Sequence, residues 1–525
     1  MSFGIEYIVQ KYEAVRLLAF SSGDGSRRKM AIINSSVGFI SLVIPIFLQF
    51  ISRRVFLDYL NVEYLGINGT LGALLSALSL SELGIQTAVV YCLYKPLAEH
   101  DYVMVNKLMN VLRVIYKWIG CIFIIFPFVF SPFLRFVLKG TDIDYIILLS
   151  FFIISFTSAC SYFLAYKRCL IFADQKEYVS KLIDFFCNIV FTVIQIVTLV
   201  LFHSFLIFTI VSLLSVIISN LIIHKFCRIL YPFLCQVPFS REVFKEVWSY
   251  TKNIIILRLA AYVYTSTDNI VISSMIGATW VGLLGNYTIL TAKVTSIANG
   301  MLVPLGPIIG NLLLEKDDAK NSQILRAYTL VRFFIASLIV VPLFVVFEDL
   351  ISWWIGEKYV LPTIVKYLLL CDFFINIYYT ACCDFIGAAG LFNKDKYIAL
   401  LGAVINIMLS ITLVCRLGVT GVLIGTIVSQ LFFWISRSAL LFRHCVKQGI
   451  KAFLLYWLRV LFHVSVLCCT IFICDYIYSW MDISIGVCQV MLGALEAVLL
   501  TVVIFLTVFG WSSEFQYLKC NFIKR

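Results

Sequence analysis

The chain has 525 residues, of which 62% are hydrophobic and only 13% charged, about half the charged share of an average soluble protein. So few charges cannot cover a soluble globule of this length, and the 15% aromatic content points the same way. The formal charge is +12, but where the cations sit matters more than their sum. Water-soluble enzymes, nucleic-acid binders and disordered tails are set aside.

The 17 cysteines include no C-x-x-C and no Cys/His pair at zinc-ligand spacing. Most, including the pairs Cys382-Cys383 and Cys468-Cys469, lie in apolar runs and read as small buried hydrophobes. Met1 to Lys29 lacks a compact apolar core followed by small residues, so no removable signal peptide is expected.

A bilayer core takes about 20 apolar residues per helix, and runs of that length predict an all-α polytopic membrane protein with about 14 transmembrane helices. The first six are Met30 to Phe50, Leu65 to Leu93, Val114 to Leu138, Ile143 to Ala165, Leu182 to Leu201 and Phe205 to Ile223. Six more run Ile254 to Ile276, Val281 to Pro304, Ala327 to Phe347, Pro362 to Ala388, Tyr397 to Cys415 and Val422 to Leu441. Ala452 to Cys474 and Ile483 to Phe509 close the series.

With the N-terminus placed in the cytoplasm, the inside segments hold most of the basic residues, beginning with Arg27, Arg28 and Lys29, and the outside loops only a handful. That asymmetry puts both termini in the cytoplasm. The outside loops are too short for a folded external domain. The expected organisation is a cytoplasmic segment 1–29, a six-helix bundle 30–224, a cytoplasmic linker 225–253 with Pro232 and Pro238, a second six-helix bundle 254–442, and two extra helices with a cytoplasmic tail at 443–525. A faint repeat supports the plan weakly: Gly66 follows Asn34, and Gly285 follows Asn253, at the same interval.

An ionisable side chain costs roughly 2.5–3.5 kcal/mol at mid-helix on insertion scales, so it normally faces a protein interior or a wet cavity. Ser41, Pro45, Gln49 and Arg53 form one stripe on span one, and Ser79, Glu82 and Gln86 another on span two; Asp184, Asn188 and Gln195 share a face of span five. In the second half, span seven carries Arg258 and Asp268, span eight Asn286, Lys293 and Gly300, span ten Asp372, Asn376 and Asp384, and span twelve Gln430, Trp434 and Arg437. A hydrophilic cavity between two bundles would collect these groups.

Plainer readings compete. Asp268 and Lys293 can neutralise each other as a buried pair. Asp184, Arg332 and Arg437 lie near cytoplasmic ends and are expected to snorkel to the interface. Arg459 and His463 can meet Glu496 as glue for the last two helices. No catalytic constellation, metal-ligand cluster or Gly-rich phosphate loop stands out, so neither an enzyme nor a cofactor is expected.

The blocks Arg53-Arg54-Val55-Phe56, Glu63-Tyr64-Leu65-Gly66-Ile67-Asn68-Gly69, Leu78-Ser79-Leu80-Ser81-Glu82-Leu83-Gly84-Ile85 and Leu93-Tyr94-Lys95-Pro96-Leu97-Ala98 resemble the opening of Wzx-type bacterial polysaccharide-biosynthesis flippases. These belong to the superfamily that includes the MATE drug exporters and the lipid II flippase. A second block, Thr267-Asp268-Asn269-Ile270-Val271-Ile272-Ser273 with Val281-Gly282-Leu283-Leu284-Gly285-Asn286-Tyr287, is similar to that family's seventh and eighth helices.

The resemblance implies a V-shaped pair of bundles in the bacterial inner membrane that moves an undecaprenyl-diphosphate-linked oligosaccharide to the outer leaflet, with a glycan polymerase of the same pathway as a further partner. Arg258 and Lys293 would then attract the diphosphate or acidic sugars, Arg53 would contact substrate on the release side, and Asp268 and Glu82 would bind a coupling proton or cation. Gln49, Gln86, Asn286, Asp372 and Asn376 would line the cavity. The rivals are a MATE-like small-molecule exporter, which ought to lack the cationic trio, and a membrane glycan polymerase or ligase, which ought to carry a larger outside loop.

Overall fold

A computed structural model describes residues 24–79, 84–302, 309–310, 313, 318–480 and 486–520, and no strand occurs among the described residues. The first half comprises α1 (Asp24–Tyr59), α2 (Val62–Leu78), α3 (Ile85–Ala98), α4 (Tyr102–Phe130), α5 (Tyr145–Ala165), α6 (Glu177–Phe202) and α7 (Phe205–Leu230). The second comprises α8 (Arg241–Met275), α9 (Ala278–Leu302), α10 (Asp318–Ile355), α11 (Thr363–Ala388), α12 (Phe392–Leu417), α13 (Val419–Leu441), α14 (Gly449–Ser479) and α15 (Val487–Phe509). Side-chain caps fix several starts: Asp101 accepts from the Met104 amide at 3.0 Å and Asp144 from the Ile147 amide at 2.8 Å.

The chain is a multi-pass membrane protein. Among the described residues, ten helical segments are long and apolar enough to cross a bilayer, matching predicted spans three to six and nine to fourteen. The second predicted span appears as α2 and α3 on either side of residues 80–83. Spans seven and eight are α8 and α9, long enough but too polar to rank with the ten.

Most of the expected linker is helical. Residues 225–230 continue α7 and Arg241–Lys252 begin α8, leaving 231–240 as the irregular connection. The cause is an amphipathic first stretch of α8: Val243 and Val247, one turn apart, are buried in the apolar core of the first half.

Buried apolar side chains fall into two large clusters. One gathers side chains of α2 to α5 and α7 with those two valines. The other fills the second half and also takes in Phe56, Leu57, Leu60, Leu65, Leu199 and Phe205 from the first. Those six lie where α1 meets α2 and α6 meets α7, the end that the charge asymmetry assigns to the outside. The halves are therefore joined there by continuous apolar packing.

Gly66 and Gly282 bring α2 and α9 into backbone contact at that end. A Cβ on Gly66 would strike the Ala278 carbonyl, and one on Gly282 the Val62 carbonyl. The contact is reciprocal, pairing Gly66 with Gly282; the glycine that follows Asn253 in the sequence trace, Gly285, lies instead against the Arg53 guanidinium.

Candidate functional site

Between the halves, a side-chain hydrogen bond joins α1 to α9. Arg53 Nε donates to Asn286 Oδ1 at 2.8 Å. Asn286 is fully buried, and its Nδ2 has no hydrogen-bond partner among the described residues. Gln49 lies one turn before Arg53, half-buried. Around this pair the Trp354 indole donates to the Phe50 carbonyl at 3.0 Å, and Lys139 Nζ donates to the Met275 carbonyl at 2.9 Å. The end that the charge asymmetry assigns to the outside is thus closed by packing, backbone contact and hydrogen bonds that all cross between the halves.

Lys293 lies seven residues further along α9, about 10 Å deeper at 1.5 Å per residue. It is half-buried and has no ion-pair partner among the described residues. The surface beside it is unusual for a membrane helix. Thr288, Ala292, Ser296 and Gly300 are all exposed at four-residue intervals, and no large apolar side chain is exposed anywhere on the described part of α9. The lipid-type surface of α15 contrasts with it, exposing Met491, Leu492, Leu495, Leu499, Val503 and Leu506. A stripe of small exposed residues, in place of the large apolar side chains that α15 turns outward, suits water or a hydrated ligand better than lipid. Asn286, Lys293 and Gly300 mark this region in the sequence; Thr288 and Ser296 are the added residues, and their signal is the four-residue spacing of small side chains.

Asp268 does not pair with Lys293. Its Oδ2 accepts from the Thr426 hydroxyl at 2.8 Å, and Asn406 Nδ2 donates to that same hydroxyl oxygen at 3.2 Å and to Ser429 Oγ at 3.4 Å. Asp268 Oδ1, Asn406 Oδ1 and Ser410 Oγ are buried with no hydrogen-bond partner among the described residues. An all-oxygen set built on one carboxylate, with three oxygens left over, is suited to a hard monovalent cation or a proton. One turn along α13 from Thr426, Gln430 Nε2 donates to Asp372 Oδ1 at 2.6 Å. Two carboxylates are thereby held along one face of α13. Asn376, one turn beyond Asp372 on α11, is half-buried.

Gln86 belongs elsewhere. It lines a cavity of about 440 Å³ inside the first half, together with Asn188, Arg168 and Asp184. Glu82 lies outside the described residues, and Arg258 is placed on α8 by its backbone while its side chain is outside the description.

The snorkelling expectation is overturned for Arg332 and Arg437, which are buried in pairs, whereas Asp184 pairs with Arg168 and still keeps its side chain 43% exposed. Arg168 binds Asp184 through both guanidinium nitrogens, at 2.5 and 2.9 Å, and Ser219 donates to the same carboxylate. Arg332 is only 3% exposed and grips Asp384, Tyr328 and Asn299, while Arg437 binds both oxygens of Asp395. Paired inside the protein, Arg332 and Arg437 need no route to the interface. The trio on the last helices is also rearranged: Arg459 binds Glu514 at 3.0 Å and His463 bonds the Tyr378 hydroxyl at 2.6 Å. Glu514 belongs to a short helix, Ser513–Leu518, that folds back after α15 and captures the arginine that Glu496 was expected to meet.

No protein-family model matches the chain. An uncharacterized membrane protein of Methanocaldococcus jannaschii is 22% identical over 348 residues, which cover 64% of this chain and 80% of that protein. Among solved structures, the lipid II flippase MurJ in an inward closed conformation superposes with a TM-score of 0.67 at 16% identity, over 91% of this chain and 99% of that one. An inward-facing multidrug resistance MATE transporter of the MOP superfamily gives 0.61 at 12% identity, over 79% of this chain and all of that one. The MATE multidrug transporter DinF-BH gives 0.54 at 14% identity, over 81% and 97% of the two chains. The chain has the fold that the flippase and the MATE transporters share.

Proposed function

We propose that the protein is a flippase that carries an undecaprenyl-diphosphate-linked oligosaccharide from the inner to the outer leaflet of a bacterial cytoplasmic membrane by alternating access. The observation that carries this reading is Lys293, a cation without a carboxylate partner among the described residues, beside an exposed stripe of Thr288, Ala292, Ser296 and Gly300 on a helix between the halves. A diphosphate and a chain of hydroxyl-rich sugars cannot cross hydrocarbon unaided, because each unpaired polar group costs several kcal/mol there. Such a stripe offers water and hydroxyl partners to the sugars, and Lys293, joined from α8 by Arg258, attracts the phosphates.

Arg53 and Asn286 stand at the closed outer end, where they serve as the last contact before release. Opening there breaks their hydrogen bond, and the substrate's phosphates replace Asn286 as the guanidinium's partner. Asp268 with Thr426, Asn406 and Ser410 supplies a cation or proton site on the second half whose occupancy biases the two access states. The two termini lie in the cytoplasm, and a glycan polymerase of the same pathway receives the product.

A small-molecule exporter of the MATE kind is the second reading, favoured by the acidic Asp268 and Asp372 pair on the face of α13. A deletion strain separates the two. Lipid-linked repeat units accumulating on the inner leaflet support the flippase. Normal surface glycan together with sensitivity to cationic drugs supports the exporter.

A further inference from the structure

The end carrying the basic loops holds a second cavity, of about 490 Å³, apart from the surfaces considered so far. Arg113 from α4, Lys167 after α5, His224 and Arg228 from α7, and Tyr231 line it. Each of the three helices reaches the cavity at a predicted span boundary, the depth at which bilayer phosphates lie.

Neither Arg113, Lys167 nor Arg228 has a carboxylate within ion-pair distance among the described residues. Asp174, the acid bonded to the Tyr231 hydroxyl at 2.7 Å, is already paired with Lys176 at 2.6 Å. Lys167 is 7% exposed, and its ammonium lies 3.2 Å from His224 Nε2. An ammonium can only donate, so Nε2 accepts and the proton of His224 sits on Nδ1. That Nδ1 is buried with no partner among the described residues. Burial, reinforced by Arg228 and Arg113, holds the Lys167 ammonium below its ordinary range, a cost that a bound anion would offset. Three cations around one hollow, without carboxylate partners among the described residues, call for an anion with several acceptor oxygens.

We propose that this pocket binds a phosphate ester, either the head group of an anionic membrane lipid or a soluble phosphate compound. Arg113 and Arg228 supply guanidinium donors, and Lys167 with its neighbour His224 completes the basic lining. The site uses none of the residues assigned to the translocated substrate, so it stands or falls independently of that assignment.

The test is native mass spectrometry of the purified full-length protein in a neutral detergent, with phosphatidic acid, phosphatidylcholine and inorganic pyrophosphate offered separately. Retention of phosphatidic acid over phosphatidylcholine is expected if a lipid is the ligand, and retention of pyrophosphate if the ligand is soluble; either supports the pocket. The double variant Arg113→Gln/Arg228→Gln, which leaves buried Lys167 in place, should weaken retention by roughly tenfold or more. Lys117→Gln, an exposed lysine on the same helix, should not. Phosphatidic acid and pyrophosphate retained no better than phosphatidylcholine, or equally by the double variant, would overturn the proposal.

Discussion

Replacing Gly66 by Ala adds one methyl group at the tightest crossing between the two halves. The new Cβ would lie inside the contact distance of the Ala278 carbonyl and 3.0 Å from the Gly282 amide nitrogen. Both neighbours are backbone, so no side chain can rotate away, and α2 and α9 must part by about 1–2 Å to regain ordinary separation. Overpacking of this kind costs about 1–3 kcal/mol. The crossing closes the end assigned to the outside, so under the proposed alternating access the cost falls on the state closed there and shifts the equilibrium by roughly 5- to 150-fold. The assay is labelling of a single cysteine at Leu57, 5% exposed in the shared apolar cluster, by a membrane-impermeant maleimide after the native cysteines are replaced. Gly66→Ala and Gly282→Ala should each raise the labelling rate by about 5-fold or more. Gly72→Ala, where no atom lies within 4 Å of the added carbon, should leave it unchanged. Labelling of folded Gly66→Ala protein at the parent rate would refute the reasoning.

Asp268→Asn keeps an oxygen for the Thr426 hydroxyl and removes only the charge, so transport in vesicles should lose its response to an imposed ion gradient while protein abundance holds; an unaltered response would remove Asp268 from coupling. Arg332→Ala leaves the partly exposed Asp384 with only the Tyr328 hydroxyl among the described residues and should cost about 1–3 kcal/mol, seen as a lowered melting temperature in detergent, with Asp384→Asn on top of it restoring part of the loss. Burial pushes the Glu514 carboxyl up, yet the hydrogen bonds of its own backbone amide and the Ser513 hydroxyl, with Arg459 and Arg326, outweigh it and hold the group below its ordinary 4.5. A lowered carboxyl contributes stability that is present above the ordinary value and lost as pH falls through the lowered one. Wild-type protein should therefore lose more stability than Glu514→Gln on acidification below about pH 4.5, and parallel melting curves would contradict that tether.

Much of this architecture was legible because lipid imposes simple rules. Length of apolar run locates helices, and an ionisable residue inside one marks a protein-facing side. The Gln49 and Arg53 stripe on α1 and the Asn286 position on α9 come from that reasoning, and the two helices do meet there. Partner choice was less legible. Charge alone pairs Asp268 with Lys293, but α13 offers Asp268 a hydroxyl at close range, and Asn406, Ser410 and Ser429 are neutral residues that a search for charges passes over. Arg168 falls between predicted spans, so the bidentate partner of Asp184 could not be seen from span-by-span faces. The start of α8 reads as linker because of its charges, although Val243 and Val247 carry the period that buries it.

The most direct measurement uses purified protein in vesicles loaded on one leaflet with an undecaprenyl-diphosphate-linked saccharide, following its exposure to a glycosidase added outside. Wild-type protein should expose the inner-leaflet pool. Lys293→Ala should slow that exposure about a hundredfold, the loss expected for one or two charge-assisted contacts to phosphate, with the protein folded and equally abundant. Exposure by Lys293→Ala at the wild-type rate would contradict a path along α9.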